Sequence, residues 1–352
     1  MKVIAKPAFK NAAKNPYNAL LYSALQNLDV EIAEFSVKRL KSSFWDIWHI
    51  HWPESLLERK TRISTWWSAK KYLGLIDFAR QQGTKIVWTI HDLKPHHLFF
   101  PHLEQQFWSE FLQRLDGVIA LTRTGLQLTH ERMPIIGGLP AFIIPHGHYR
   151  GIYPQTVDRD AARQRLGIPQ EATVLTYFGQ IRPYKNVPRL IQVVREVRDA
   201  NTTLLVCGKP DRKHSSLVNE IQAAAAADTR IRLLLNYIAD NDVQLYLKAA
   251  DLLILPYKNI LNSGSALLGL SFDCPVLVPN LGAMAELQTA VGPDWVKTYE
   301  GELDGTVLRE AIAWARWGSR GKQAPLDPYD WGTIGQQTLD AYYGIRTTYE
   351  PA

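Results

Sequence analysis

The sequence predicts an α/β protein with two domains, each built on a parallel sheet with helices packed on it. Three observations support this. The chain has 352 residues, a length that suggests two domains. Short runs of β-branched and aromatic residues alternate with helical patterns along nearly the whole chain, which is typical of β-loop-α units. Hydrophobic residues make up 46% of the chain, enough for large cores.

The composition of the chain indicates which binding partners and which cellular compartment to expect. The formal net charge is +6, which suits phosphate-bearing partners, but the basic residues are dispersed and no nucleic-acid motif is present. Nucleic acid is therefore not an expected partner. Cys207 and Cys274 lie in apolar contexts and suggest neither a disulfide framework nor a metal site, so a reducing, cytoplasmic location is expected. There is no signal segment and no apolar run of membrane-spanning length.

The first loop of the chain follows a predicted strand, a position where a substrate can bind. A strand is predicted at Lys2–Ala5, and the loop at residues 7–16 leads into a helix at Tyr17–Leu28, with Asn15 as N-cap and Pro16 at the first helical position. A loop at the end of a first strand commonly contacts a substrate, so Asn15 is a candidate acceptor-side residue. A plain connector is the alternative.

Two histidines share one face of a later strand. After a second strand at Val30–Phe35, the alternating segment Asp46–Trp52 predicts a third strand that carries His49 and His51. His51 is a candidate for lining a cleft. The pair does not predict a metal site, because no cysteine or further histidine lies nearby with ligand spacing.

A basic, amphipathic helix is predicted at Arg59–Leu73, with Trp66 and Trp67 side by side. Such a helix can lie on anionic lipid, which makes peripheral contact with the inner face of the membrane one interpretation. The alternative is a surface helix whose aromatic side chains face the core.

A His-Asp pair follows the buried strand predicted at Lys85–Ile90. His91 and Asp92 at the carboxyl end of a strand are suited to bind or deprotonate a hydroxyl group. The alternative is a helix cap at Asp92 and a satisfied core histidine at His91. His96 and His97 follow in a predicted loop.

The remaining first-half elements lead to the domain exit. They are a helix at 103–115, a strand at 117–121, a helix through 131 and a strand at 141–145. His146 follows the last strand, and the polar run to Arg159 predicts the exit from the first domain.

The most informative stretch is VLTYFGQIRPYKN, residues 174–186. A buried strand ends in a turn at Gly179, and a basic loop carrying Arg182 and Lys185 precedes a helix. A guanidinium fork and an ammonium three positions apart suit a diphosphate. A solvated basic turn is the alternative.

A second anion-suited feature lies further along the same domain. Asn262, Ser263, Gly264 and Ser265 precede a short apolar helix, whose start presents backbone N–H groups and the positive end of the helix dipole. An ordinary N-cap is the alternative. Together, the two features predict a nucleotide diphosphate site.

Three further residues follow strands or turns of this domain. Gly208 ends the strand at 203–207, and Tyr237 lies in the turn after the strand at 231–235. Glu286 follows a glycine turn, where its carboxylate either accepts hydrogen bonds from sugar hydroxyls or is a first-turn helix residue favoured by the dipole. All three are candidate residues of the predicted nucleotide diphosphate site, and the resemblance described next implies that they bind the donor.

The order of these motifs resembles the GT-B nucleotide-sugar glycosyltransferases, and more narrowly the large retaining family that includes sucrose- and mannosyl-transferring enzymes. GQIRPYKNV resembles its diphosphate loop, CGKPD its glycine-rich turn, and LYLKAADLLILPY the segment before its catalytic loop. LSFDCPVLVPNLGAMAEL resembles its stretch ending in a glycine turn and Glu. DGVIALT and IIPHG resemble the end of the acceptor domain, and YDWGTIGQQTLDAYY the helix that crosses back over it.

The resemblance implies two Rossmann-like domains facing across a cleft: residues 1–153 for the acceptor, 154–328 for the donor, and 329–352 as a crossover helix. It implies transfer from a UDP- or GDP-sugar to a hydroxyl of a carbohydrate or lipid-linked acceptor, with retention and without a metal or other cofactor, in polysaccharide or glycolipid synthesis. His91 and Asp92 would lie near the acceptor hydroxyl, with His51 and His146 on the acceptor side. Arg182 and Lys185 would stabilise the leaving diphosphate.

One departure from the family motivates a second hypothesis. The family usually has two glutamates eight positions apart around the last loop, and Ile260 and Leu268 occupy those places here. The sugar contacts must then come from other groups. A non-catalytic GT-B-like protein that binds a nucleotide sugar or a partner enzyme is therefore the alternative.

Overall fold

A computed structural model describes residues 1–92, 100–211, 213–226, 228–317 and 320–347, and the side chain of Trp317 lies outside this description. The chain divides into two compact units. Unit 1 comprises residues 1–147 and 328–352, and unit 2 comprises residues 148–327. The first division falls six residues before the expected 153/154 boundary, and the second falls one residue before the expected 328/329 boundary.

Unit 1 contains a six-stranded parallel sheet. Its strands are β1 (Lys2–Lys6), β2 (Glu31–Glu34), β3 (Ile47–His51), β4 (Lys85–Ile90), β5 (Gly117–Ala120) and β6 (Ala141–Ile143). Its first helices are α1 (Tyr17–Gln26), α2 (Val37–Ser42), α3 (Arg62–Gln81), α4 (Pro101–Leu112) and α5 (Arg123–Arg132). The strand order is β2-β1-β3-β4-β5-β6. Every residue of β3 is buried, because helices cover both faces of the sheet.

Unit 2 contains a second parallel sheet of six strands. Its helices are α6 (Arg159–Leu166), α7 (Val187–Val197), α8 (Ser215–Ala225), α9 (Val243–Ala249), α10 (Gly264–Ser271), α11 (Met284–Val291) and α12 (Gly305–Trp317). Its strands are β7 (Thr173–Phe178), β8 (Thr202–Cys207), β9 (Ile231–Leu234), β10 (Leu252–Ile254), β11 (Val276–Pro279) and β12 (Val296–Tyr299). The order is β12-β11-β10-β7-β8-β9, so the two-domain α/β prediction is confirmed.

The final helix, α13 (Trp331–Thr347), belongs to unit 1 and packs against α1. Gly335 permits the close approach, because a Cβ there would lie 2.9 Å from the Ala24 Cβ. Tyr342 is fully buried in the unit 1 core, and Arg346 pairs with Asp46 at 3.0 Å.

The unit 1 sheet lies between two apolar clusters. One contains Trp48 and Trp88 with side chains of α3 and α4. The other contains Tyr22 of α1 and Tyr342 of α13. Since side chains alternate along a strand, His49 and His51 of β3 face away from Trp48, towards the second cluster.

Several local predictions need correction. Helices α2 and α6 and strand β12 are short, and the sequence patterns did not predict them as separate elements, whereas α11 is the helix of the first-turn alternative given for Glu286. The basic helix begins at Arg62 and extends to Gln81. Pro16, not Asn15, occupies the capping position of α1, although the Asn15 side chain accepts a hydrogen bond from the Tyr17 amide at 3.1 Å.

Trp66 and Trp67 of α3 are exposed, so the alternative that they face the core was wrong, whereas Tyr72 of the same helix is buried in the core. Trp66 is 38% exposed, Trp67 63% and Ile63 72%. Among the described residues, no helix is both long enough and apolar enough to cross a membrane. His96 and His97 lie outside the described residues.

Candidate functional site

The carboxyl ends of the unit 2 strands lie along one edge of the sheet, because all six strands are parallel. The turns after β7 and β8 contact each other there. The Gly179 amide donates to the Cys207 carbonyl at 3.0 Å. A Cβ on Gly208, whose φ is +155°, would lie 1.8 Å from the Gly179 carbonyl oxygen. Glycine is therefore required at position 208 for the two turns to approach.

The start of α10 joins the same corner. A Cβ on Gly179 would lie 2.8 Å from the Ser265 Oγ, so the first turn of α10 contacts the Gly179 turn. The Ser263 Oγ accepts from the Ala266 amide at 3.1 Å and is bonded to the Tyr257 hydroxyl at 2.8 Å. The side chain of Ser263 is thus an ordinary N-cap. The first helical turn still offers backbone amides and a positive dipole end to an anion.

The two cations of the basic loop lie next to this corner. Lys185 is buried, and its Nζ lies 4.1 Å from the ring centroid of Tyr257, a cation–π distance. Arg182 pairs through its Nε with the Asp211 carboxylate at 3.6 Å. Tyr257 therefore connects Lys185 to the N-cap Ser263. We call this set the donor corner; its members are Gly179, Arg182, Lys185, Gly208, Tyr257, Ser263, Gly264 and Ser265.

Two further donor candidates lie on neighbouring loops. Tyr237, after β9, is 57% exposed, and its hydroxyl donates to Asp240 at 2.8 Å. Asn262 immediately precedes the N-cap of α10 and is partly buried. Described contacts do not join Tyr237 to the donor corner.

Glu286 lies in the first turn of α11, in agreement with the first-turn alternative. The turn before it packs against the loop that follows β10, because a Cβ on Gly282 would lie 2.2 Å from the Ile260 carbonyl oxygen. Ile260 is partly buried, whereas Leu268 is buried inside α10. The two family glutamate positions are thus occupied by apolar residues in this packed region.

Unit 1 holds a connected chain of hydrogen bonds at the carboxyl ends of β3 and β4. The Tyr22 hydroxyl is 2.6 Å from the His51 Nε2, and the His51 Nδ1 is 2.8 Å from the His91 Nε2. A second chain runs beside it: His49 is bonded to Tyr342 and to Thr89, both at 2.7 Å. His51 and His91 are therefore brought together, as their strand positions suggested.

Aromatic rings enclose His91. Trp52 stacks on it with centroids 4.2 Å apart at 20°, and Tyr17 meets it edge-on at 5.0 Å. Tyr17 also contacts His146 at 4.7 Å and Trp331 at 5.6 Å. His146 thus joins the same cluster, which we call the histidine cluster.

Burial keeps these imidazoles neutral at neutral pH. Desolvation lowers the pKa of His49 to about 3 and that of His146 to about 4. The pKa values of His51 and His91 are also well below the ordinary value, first through burial and then through neighbouring histidines. His91 is thus a hydrogen-bonded, largely buried histidine, in agreement with the core alternative, yet it lies at the strand end where a substrate would bind.

A buried carboxylic acid, Glu54, interacts electrostatically with Asp92. Glu54, buried in the 3₁₀ turn Pro53–Leu57 after β3, has its pKa raised to about 8, mainly by desolvation and in part by Asp92 and Glu58. Burial therefore favours the neutral, protonated form of the Glu54 carboxyl group. Asn15 lies on the loop before α1, and its described hydrogen bond is to the Tyr17 amide rather than to a histidine.

Several residues of the donor corner and of the histidine cluster were not predicted from the sequence. Tyr17, Tyr22, Trp52 and Glu54 contact or surround the histidines, and Tyr257 joins the donor corner. A usable signal existed for Tyr257, because it lies three residues beyond the end of β10, at the edge where the parallel strands end. Tyr22 is mid-helix and carries no such signal.

Across the described ranges, no group of three or more His, Cys, Asp or Glu side chains is arranged to hold a metal ion. Both ring nitrogens of His49 are hydrogen-bonded to hydroxyl groups, and those of His51 are hydrogen-bonded to Tyr22 and His91.

Two α/β units, each built on a six-stranded parallel sheet, have the architecture of the GT-B class. Solved structures agree with this fold. The chain matches sucrose-phosphate synthase from Thermosynechococcus elongatus with a TM-score of 0.71 at 16% identity over 99% of both chains. It matches Anabaena HepE in complex with UDP and glucose with a TM-score of 0.66 at 16% identity, also over 99% of both chains.

Sequence comparison then identifies the family. Residues 158–288 match the model of glycosyl transferases group 1. The chain is 35% identical to the GDP-mannose:glycolipid 4-beta-D-mannosyltransferase of Xanthomonas campestris pv. campestris over 336 residues, which cover 94% of this chain and 89% of the relative. The chain belongs to the glycosyl transferases group 1 family, and it is a GT-B glycosyltransferase.

Proposed function

We propose that this glycosyltransferase moves a hexosyl group from a nucleotide-diphosphate sugar to a hydroxyl of a glycolipid, with GDP-mannose as the first candidate donor. The observation that carries the proposal is the 35% identity, over 94% of the chain, to an enzyme named for GDP-mannose and a glycolipid. Synthesis of a polysaccharide repeat on a lipid carrier would be the corresponding context.

The donor corner supplies the groups that such a donor requires. Lys185 and Arg182 provide two positive charges, and the α10 start provides backbone amides. These groups would stabilise the negative charge that develops on the departing nucleoside diphosphate. Charge neutralisation by protein groups makes the proposed reaction independent of a divalent metal.

The histidine cluster supplies the acceptor side. Asp92, at the end of β4, would take the proton of the attacking hydroxyl. The hydroxyl oxygen would form the bond to the anomeric carbon, whose bond to the phosphate oxygen would break, with the electron pair leaving on the diphosphate. His91 would contact the reacting sugar or acceptor oxygen.

We include a β-linked product in the proposal. The Xanthomonas relative is named for a β-mannosyl product, and the positions of both family glutamates are apolar here. From an α-linked donor, a β product requires inversion. Retention, which the resemblance to the retaining family implies, would give an α product.

Donor binding and transfer test the proposal together. GDP-mannose should raise the melting temperature of the protein more than UDP- or ADP-sugars do, by mass action. Replacing Lys185 with Ala should weaken GDP binding by about 1.5–3 kcal/mol, about 10- to 150-fold, because a charge-assisted contact is lost. The matched control is Lys322→Ala, an exposed cation of unit 2.

The measurements are GDP titration calorimetry, transfer of labelled mannose to a lipid-linked oligosaccharide with and without EDTA, and NMR of the product's anomeric proton. Equal GDP affinity in wild type and K185A would remove the donor corner from the proposal. An α product would overturn inversion, and inhibition by EDTA would overturn metal independence. Binding of GDP-mannose without transfer of mannose to any acceptor would support the alternative that this protein is non-catalytic.

We also propose that α3 contacts an anionic membrane surface. Ile63 and Trp67 are among the most exposed large apolar side chains, and Arg59, Lys60 and Arg62 are exposed beside them. A lipid-linked acceptor would be reached from such a surface.

Removing these three charges should weaken binding to anionic vesicles. The triple variant R59A/K60A/R62A should lose about 1 kcal/mol per charge, about 100-fold in all, in vesicle sedimentation at low salt. The control triple R165A/R309A/K322A removes three exposed charges from unit 2. Absence of vesicle binding by the wild type, or an equal loss in both triples, would refute the membrane contact.

A further inference from the structure

The hydrogen-bond chain Tyr22–His51–His91 has a direction. Tyr22 and His51 are 0% and 2% exposed, and both bonds are short, at 2.6 and 2.8 Å. Two protons must lie in these two bonds, one in each. A buried hydroxyl proton needs an acceptor, and the acceptor that the described residues offer to Tyr22 is the His51 Nε2.

The rest of the assignment follows by counting protons. If Tyr22 donates, the His51 Nε2 is unprotonated, and its single proton lies on Nδ1. The His51 Nδ1 then donates to the His91 Nε2, so the single proton of His91 lies on its Nδ1. Burial supports one proton per ring, because it holds the pKa values of both histidines well below neutral and that of Tyr22 well above its ordinary value.

We infer that Tyr22 and His51 are positioning residues that hold His91 as a neutral imidazole with its proton on Nδ1. Any contact of His91 outside this chain then presents an N–H donor, so His91 stabilises a substrate oxygen and does not take the acceptor's proton. That proton goes to the Asp92 carboxylate. The catalytic meaning of this assignment rests on the proposed function, whereas the tautomer itself does not.

The surroundings of His91 are compatible with this tautomer. The titratable groups nearest to it are His49, His51 and His146, which are neutral, with Tyr17 and Trp52 packed on the ring. Asp92 adjoins His91 in sequence, and its charge contributes to raising the pKa of Glu54 to about 8. The inference assigns the acceptor's proton to Asp92, which follows the end of β4.

Nitrogen NMR tests the tautomer directly. In protein labelled with ¹⁵N-histidine, long-range ¹⁵N–¹H spectra distinguish protonated from bare ring nitrogens, and H91Q assigns the His91 signals. The expected result for wild type is a protonated Nδ1 and a bare Nε2. Replacing Tyr22 with Phe should move His91 towards the other tautomer and lower kcat by at least about 10-fold, with KM for the donor changed far less.

Three variants make the test specific. Tyr342→Phe removes an equally buried hydroxyl bonded to His49, outside the chain, and should leave both the His91 signals and kcat within about twofold. His51→Gln can accept from Tyr22 and donate to His91, so it should preserve the tautomer, whereas His51→Leu should not. This pattern would not arise from a packing role alone.

A wild-type His91 with its proton on Nε2, or a Tyr22→Phe spectrum identical to wild type, would overturn the inference. Expected spectra in a protein that transfers no sugar would reject the proposed function and keep the tautomer. Normal transfer in Tyr22→Phe with an altered tautomer would overturn the donor role of His91.

Discussion

Replacing Arg163 with Met is expected to destabilise unit 2 by about 3–5 kcal/mol, because one partner of a buried ion pair is removed. Arg163 is 0% exposed. Its Nη2 donates to the Asp251 carboxylate at 2.8 Å, its Nε to the Ala249 carbonyl at 3.1 Å, and its Nη1 to the Ala172 carbonyl at 2.9 Å. The Nη1 also donates to the Gln170 carbonyl at 2.5 Å, so the variant leaves three carbonyls without these donors and the Asp251 carboxylate with Arg159 as its remaining cation.

Arg159 provides the matched control for this prediction. It pairs with the same carboxylate at 2.5 Å, but its side chain is 54% exposed, so Arg159→Met should cost no more than about 1 kcal/mol. Hydrogen exchange of the β7 and β10 amides, read by mass spectrometry, reports the stability of unit 2 separately from unit 1. Equal protection in the two variants would show that Arg163 contributes no more than an exposed ion pair.

Replacing Gly208 with Ala should abolish tight donor binding. The new Cβ would lie 1.8 Å from the Gly179 carbonyl oxygen and 2.8 Å from its carbonyl carbon, so the two turns must separate. Gly179 contacts Ser265, and therefore the separation changes the donor corner itself. We expect a loss in GDP affinity of at least about 100-fold, since two or more contacts of about 1.5–3 kcal/mol each are disturbed.

Gly292→Ala separates backbone strain from the collision. Gly292 also has a positive φ, +101°, but a Cβ there would meet no atom within 4 Å. Its replacement should cost about 1–3 kcal/mol of stability through the backbone alone and leave GDP affinity unchanged. Calorimetric titration of both variants with GDP compares them. A G208A protein that binds GDP like wild type would mean that the two turns can separate without consequence for the donor.

Strong local sequence patterns made much of the fold predictable. The stretch from Thr173 to Val197 was predictable because β-branched residues, a glycine, a basic loop and an amphipathic helix follow one another there. Helix α6 was not predictable in the same way. Its buried face contains Ala162 and Arg163, and an arginine signals a core position only after Asp251 is known to lie beside it.

Some residues of the candidate site could likewise be predicted from the sequence, and others could not. Gly179, Lys185 and Ser263 could be selected from the sequence, since residues at the carboxyl ends of parallel strands share one edge. Tyr22 could not be selected in this way, because it lies in the middle of α1. Tyr257 follows a strand, but its hydrogen bond to Ser263, like that of Tyr22 to His51, is not encoded by period and spacing.

By itself, the sequence determined the α/β class, the parallel order of strand and helix, and the residues that follow each strand at the binding edge, because these depend on local periodicity and turn chemistry. Only the tertiary structure decided which of those residues touch. Examples are the contact of Gly208 with Gly179, the ion pair of Arg163 with Asp251, and the hydrogen-bond chain Tyr22–His51–His91. These contacts join residues that are distant in sequence, and they form only when the core is packed with one strand register.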